Sequence, residues 1–145
     1  MSTPRVVVAG LGDSGLLTAL HLARRVDVVG ISTKPALVSG QELGLRLTRP
    51  ETWARDYYVA FDRYRRLDRV RTVHAAITGV DLDARVVHVT GADGSVSEEP
   101  YDVLVVSTGV TNGFWRRPGL QSAAEVDAGL RAAHDRLARA GSVTV

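Results

Sequence analysis

RVVVAGLGDSG, residues 5–15, runs an apolar segment straight into Gly10, Gly12 and Gly15 at G-x-G-x-x-G spacing. Three steric demands call for glycine here: a tight turn, close approach of backbone to a pyrophosphate, and tight packing of a helix on a strand. The reading holds only if strand, loop and helix follow in that order. Val6 to Ala9 supply the strand, and Leu16, Leu17, Ala19, Leu20 and Ala23 give residues 14–25 an apolar helical face. The start of that helix directs unpaired N–H groups and the positive end of its dipole toward bound phosphates. Residues 26–31 then read as a second, parallel strand.

Working outward, residues 32–55 are polar and broken by Pro35, Gly40, Gly44 and Pro50, which predicts a long connection with one short helical piece. Tyr57, Tyr58, Phe61, Tyr64 and Leu67 recur at near-helical spacing and predict a helix over 57–70 that packs on the sheet. From residue 72 the pattern changes to short β segments. Residues 73–80 and 85–89 form a predicted hairpin around Asp81, Asp83 and Ala84, and a turn at Ala92-Asp93-Gly94 returns the chain to 96–99. The result is a small antiparallel meander set between parallel strands.

YDVLVVSTG, residues 101–109, follows. Val103 to Ser107 are nearly all apolar and β-branched, which predicts a central parallel strand buried on both faces, with Thr108 and Gly109 at the carboxyl edge where open α/β sheets bind ligands. Ser122 with Glu125 forms a predicted capping box for a last helix carrying Val126, Leu130, Ala133 and Leu137 on one face and stopped by Gly141. Residues 142–145 then read as the start of a strand, so the fold is expected to be incomplete at that point.

Composition narrows the class. A chain of 145 residues, 45% hydrophobic, sustains one core. Net charge is +2, and Arg63, Arg65, Arg66, Arg69 and Arg71 alternate with Asp62, Asp68 and apolar positions. That predicts a solvated helix face and no nucleic-acid partner. Lys34 is the single lysine, and the absence of cysteine excludes disulfides, thiolate metal sites and a redox-active cysteine pair within these residues. No apolar run approaches the ~20 residues of a membrane span, and no signal-peptide layout is present, so a soluble cytoplasmic location is expected. His21, His74, His88 and His134 lack metal-ligand spacing, and no nucleophile triad is detectable. Neither a metal site nor a catalytic acid or base is predicted.

The ordered set GLGDSG, AITGVDLDARVVHV, YDVLVVSTG and TNGFW resembles the first part of FAD-dependent pyridine nucleotide oxidoreductases, in the branch of type II NADH dehydrogenases and apoptosis-inducing-factor-like proteins. The resemblance implies a Rossmann-like FAD/NAD(P)-binding α/β fold. It also implies that 1–121 form the first segment of a split FAD-binding domain, and that 122–145 form a connecting helix and the first strand of an NAD(P)-binding domain. By the same resemblance Gly10, Gly12, Ser14 and Gly15 would meet the FAD pyrophosphate. Ile77 would offer backbone groups to adenine, and Thr108 and Gly109 would line the cofactor. The loop over 38–45, VSGQELGL, is expected near the flavin. Electrons would pass from NAD(P)H through the flavin to a quinone or another acceptor.

One departure bears on the ligand. Where the family ends its second strand with a ribose-binding acid, this chain has Ser32. A hydrogen bond to a charged group contributes roughly 1.5–3 kcal/mol against about 1 for a neutral one, a loss near tenfold in affinity. Ser32 with Lys34 would also suit a 2′-phosphate, which keeps open a non-catalytic nucleotide-binding module, including an NADP-binding Rossmann domain, although a simple NADP domain would not need the β meander. The direction of Asp13 inside the loop stays open. An exposed, unfinished sheet edge predicts homo-oligomerisation or poor solubility.

Overall fold

A computed structural model describes residues 3–110 and 118–144. Thr111 to Trp115, the TNGFW of the resemblance, lie outside them.

The β-branched run at the N-terminus forms β1 (Arg5–Ala9), the loop leads into α1 (Asp13–Leu22), and β2 (Asp27–Ser32) pairs parallel with β1. Two short helices, α2 (Leu43–Thr48) and α3 (Pro50–Asp56), occupy the long connection. The helix predicted over 57–70 does not form. Ala60 makes an antiparallel bridge to Ala36, and two 3₁₀ turns follow at Phe61–Arg63 and Arg65–Leu67. The spacing itself explains the outcome. Tyr58, Phe61, Tyr64 and Leu67 recur every three residues, the period of a 3₁₀ turn, and Phe61 and Leu67 are buried by it.

Next comes β3 (Val70–His74), a third parallel strand beside β2 that the sequence reading missed. The segment predicted as one hairpin arm over 73–80 is divided between two sheets. Val73 and His74 close β3, the Ala75 N–H bonds the Ser32 carbonyl, and β4 (Ala76–Asp81) begins the antiparallel sheet with β5 (Val86–Thr90) and β6 (Val96–Pro100). β7 (Val103–Val106) then returns to pair parallel with β1, which gives the order β3-β2-β1-β7.

Alternation along β1 builds two cores. Val6 and Val8 pack with Leu16 and Ala19 of α1, Phe61 and Leu67, whereas Val7 packs with Val29, Ile31, Val87 and Val89 beneath the meander. Each such fully buried valine contributes about 1.5–3 kcal/mol relative to exposure. The parallel sheet is thus the middle layer of three.

β7 corrects the sequence reading. It is the edge strand among the described residues, with Val103 51% and Val106 71% exposed. β-branched residues suit any strand, so their density gave no information about which neighbours cover it. The other outer strands carry devices that discourage pairing: Arg71 on β3, a bulge between Ile77 and Gly79 on β4, and Glu98, Glu99 and Pro100 on β6. VLVV carries none. Pairing of this edge between copies is tested by Val103→Lys with Val106→Lys, which should sediment as monomer at concentrations where the parent self-associates, with the melting temperature little changed. A parent that is itself monomeric would rule such pairing out.

The last helix, α4 (Ala123–Arg139), starts at the predicted capping box. The Glu125 N–H donates to Ser122 Oγ at 3.2 Å, and the Ser122 N–H donates to Glu125 Oε2 at 2.7 Å. Val126, Leu130 and Ala133 are buried, and α4 lies against α2 and α3. Arg131 holds Glu51 of α3 at 2.8 Å, and His134 Nδ1–H donates to the Leu47 carbonyl at 2.6 Å. Residues 142–144, predicted to open a strand, are not in one. No helix among the described residues is long and apolar enough to cross a membrane.

Candidate functional site

At the carboxyl end of the parallel sheet, the turn from β1 into α1 borders a cavity of about 400 Å³, within the size range of small-molecule sites. Each glycine of the turn has a different reason to be there. Gly10 sits at φ +102°, and a Cβ there would come within 2.4 Å of the Ser107 carbonyl oxygen. A Cβ on Gly15 would lie 1.8 Å from the Gly10 carbonyl oxygen. Both are demanded by the fold itself. Gly12 would meet nothing within 4 Å and lines the cavity, so the chain's own packing does not require glycine at that position. Gly12 also N-caps α1, with no side-chain hydrogen bond to the first N–H groups of the helix.

Ser107, read from the sequence only as the end of a strand, braces this turn. Its hydroxyl donates to the Gly10 carbonyl at 2.7 Å, and its N–H donates to the Ala9 carbonyl at 2.8 Å. Gly30 on β2 makes room for Leu11, whose side chain would lie 2.6 Å from a Cβ there. Asp13 has a definite direction. Its Oδ2 accepts the Gly40 N–H at 3.2 Å, so its carboxylate is tied to the loop after β2.

Of the residues singled out by sequence, Gly10, Gly12, Ser32, Lys34, Ile77 and Thr108 line the cavity. Gly15 is buried beneath the turn, while Ser14 is exposed on the first turn of α1 and is not in the lining. Gly109, at φ +71°, is exposed just beyond Thr108 and is likewise outside it. From the loop over 38–45 only Val38 reaches the cavity.

Lys34 is held at the far wall. Its backbone N–H donates to Ser32 Oγ at 3.2 Å, and its ammonium lies 3.4 Å from both Thr33 Oγ1 and the Gly119 carbonyl. The Gln121 N–H donates to the Thr33 carbonyl at 2.9 Å, and His74 Nε2–H donates to the Gln121 carbonyl at 2.9 Å. These bonds tie the entry to α4 onto the ends of β2 and β3.

Arg46 is the residue that sequence reading overlooked. It is 2% exposed, donates from Nη1 to the Ser39 carbonyl, and stacks its guanidinium 5.4 Å from the Trp53 ring centroid. Trp53 in turn donates from Nε1 to Glu42 Oε2 at 2.7 Å and meets Tyr58 edge-on at 5.6 Å. Burial and the nearby Asp62 push the Tyr58 phenol above its usual range. One trace was present in the sequence: LGLRLT places an arginine among leucines on a short helix flanked by tryptophan.

Arg136, on α4, adds a third cation to the lining beside Lys34 and Arg46, and no described residue of that lining carries a carboxylate. With Gly12, the N-cap of α1, in the same lining, these groups suit an anionic ligand.

No protein-family model matches the chain, and no curated protein matches it. Solved structures do. NDH2 from Plasmodium falciparum superposes with a TM-score of 0.64 at 9% identity, over 98% of this chain and 31% of that one. The sulfide:quinone oxidoreductase of the hyperthermophilic bacterium Aquifex aeolicus gives 0.64 at 20% identity, over 94% and 33%. The water-forming NADH oxidase from Lactobacillus brevis, bound to NADH, gives 0.61 at 17%, over 90% and 32%. The chain therefore has the Rossmann-like α/β fold of these proteins, a parallel sheet with an added antiparallel one, and it spans about a third of their length.

Proposed function

We propose that this chain is the FAD-binding portion of an oxidoreductase whose flavin takes electrons from NAD(P)H and passes them to a quinone or another acceptor. The observation that carries the reading is Gly12, open on its cavity side and set at the start of α1, with no described carboxylate in the lining. A pyrophosphate needs that combination: backbone N–H groups, room for close approach, and no like charge. The tie from Asp13 to Gly40 removes the one acid of the loop from competition.

The residues present fit FAD in kind. Gly10, Gly12 and the first turn of α1 would hold the pyrophosphate, Ser32 the adenosine ribose, and the backbone at Ile77 the adenine. Thr108 would line the cofactor. Ala75, Ala76 and Ile77 bring the start of the meander into the cavity wall, a contribution a plain doubly wound sheet lacks. When bound, the flavin would supply the redox chemistry, and the chain's own part would be binding, orientation and electrostatics. The isolated chain is expected to show no NAD(P)H-dependent reduction of an acceptor.

A second reading rests on Ser32 and Lys34. A hydroxyl and an ammonium in one lining without a described acid are chemistry for a ribose 2′-phosphate, and NADPH is then the ligand of a non-catalytic module.

Absorbance from 300 to 500 nm on purified protein, followed by titration with FAD and with NADPH, tests both. Flavin bands that comigrate with the chain support the first reading, and binding of NADPH alone supports the second. Lys34→Ala sharpens the distinction. It should weaken NADPH by about tenfold or more, the loss of a charge-assisted contact, and change FAD affinity only slightly. Binding of neither ligand would overturn both readings for the isolated chain.

A further inference from the structure

On the α1 side of the sheet, apart from the dinucleotide cavity, a cleft of about 580 Å³ runs between α1 and the second 3₁₀ turn. Its apolar part comes from Leu17 and Leu20 on α1, and Leu17 is 59% exposed. Its cationic part comes from Arg24, just past α1, and from Arg65, Arg66 and Arg69. None of these four arginines has a carboxylate partner among the described residues. Elsewhere the arginines divide: Arg25, Arg49, Arg63, Arg85 and Arg139 also have no ion pair among the described residues, whereas Arg5, Arg55, Arg71 and Arg131 are each paired with an acid.

The helix predicted over 57–70 would have spread its arginines around a solvated face. Two 3₁₀ turns instead bring Arg65, Arg66 and Arg69 to the same cleft as Arg24. Four guanidinium groups against one lining carboxylate, Asp68, give the cleft a net positive field, and guanidinium forks match carboxylates bidentately.

We propose that this cleft docks an acidic amphipathic segment of a partner protein, with an apolar side chain seated on Leu17 and Leu20 and flanking carboxylates on the four arginines. The shape and the mixed lining select this occupant. A bilayer surface is flat where the cleft is concave. A nucleic-acid strand would leave the leucines unused, and the cleft has no phenylalanine, tyrosine or tryptophan in its lining to stack a base, while His21 is tied to the Leu17 carbonyl. The inference does not depend on which dinucleotide the cavity binds.

Fluorescence anisotropy with a fluorescein-labelled synthetic helix, leucine on one face and glutamate on the other, tests it. The intact chain should bind, and affinity should fall steeply as salt rises. The combined change Arg65→Glu, Arg66→Glu and Arg69→Glu should abolish binding. Leu17→Ser should weaken it by about tenfold, as expected for an apolar anchor. All four positions are exposed, so unchanged circular dichroism melts will show that the fold is retained. The proposal is overturned if the helix does not bind, if either variant binds as well as the parent, or if phosphatidylglycerol vesicles or a single-stranded oligonucleotide bind more tightly.

Discussion

Gly15→Ala should yield little or no folded protein, whereas Gly12→Ala should fold and melt close to the parent yet lose dinucleotide binding by about a hundredfold. The two substitutions add the same methyl group three residues apart. At Gly15 it would sit 1.8 Å from the Gly10 carbonyl oxygen, backbone that cannot move aside without lifting α1 off the sheet. Overpacking of that kind costs about 3 kcal/mol or more, a large part of the 5–15 kcal/mol typical of a domain. At Gly12 the methyl enters open space, with φ −75° and ψ −167° available to alanine, so the cost to the fold is about 1 kcal/mol or less. The same methyl would occupy the approach a pyrophosphate needs. Thermal melts paired with FAD and NADPH titrations separate the two outcomes. Equal melting losses at both positions would show that Gly12 serves the fold and not a ligand.

Arg46→Ala should have the next largest effect. Truncation removes a charged hydrogen bond to the Ser39 carbonyl, worth about 1.5–3 kcal/mol, and the stacking on Trp53, worth roughly 0.5–2. It also leaves a void beside the cavity. A loss of about 3 kcal/mol, with a marked change in tryptophan fluorescence, is expected. Arg46→Met keeps the packing volume and should recover much of the stability, but anion affinity should stay low because a cation of the lining is gone. Recovery of both stability and affinity in Arg46→Met would show that the charge has no part in binding.

What was legible in advance follows from the range of each signal. The glycine turn, the strand before it and the helix after it are set within a dozen residues by sterics that do not depend on the rest of the fold. The capping box at Ser122 and Glu125 is local in the same way, as are the turns of the meander. The helix expected over 57–70 failed because aromatic residues at three-residue spacing satisfy a 3₁₀ turn better than an α-helix. Asp13 resisted because its partner, the Gly40 N–H, lies 27 positions away in an irregular loop.

Residues 5–15 thus determined by themselves that a strand, a glycine turn and a helix stand in sequence, because bond geometry and glycine sterics act over a few residues. Only the tertiary structure decided that Val70–His74 joins the parallel sheet, that β7 is its edge, and that Lys34, Arg46 and Arg136 line one cavity. Strand order and cavity charge arise from contacts between segments far apart in the chain. A period-two pattern records which face of a strand is apolar, not which strand lies beside it.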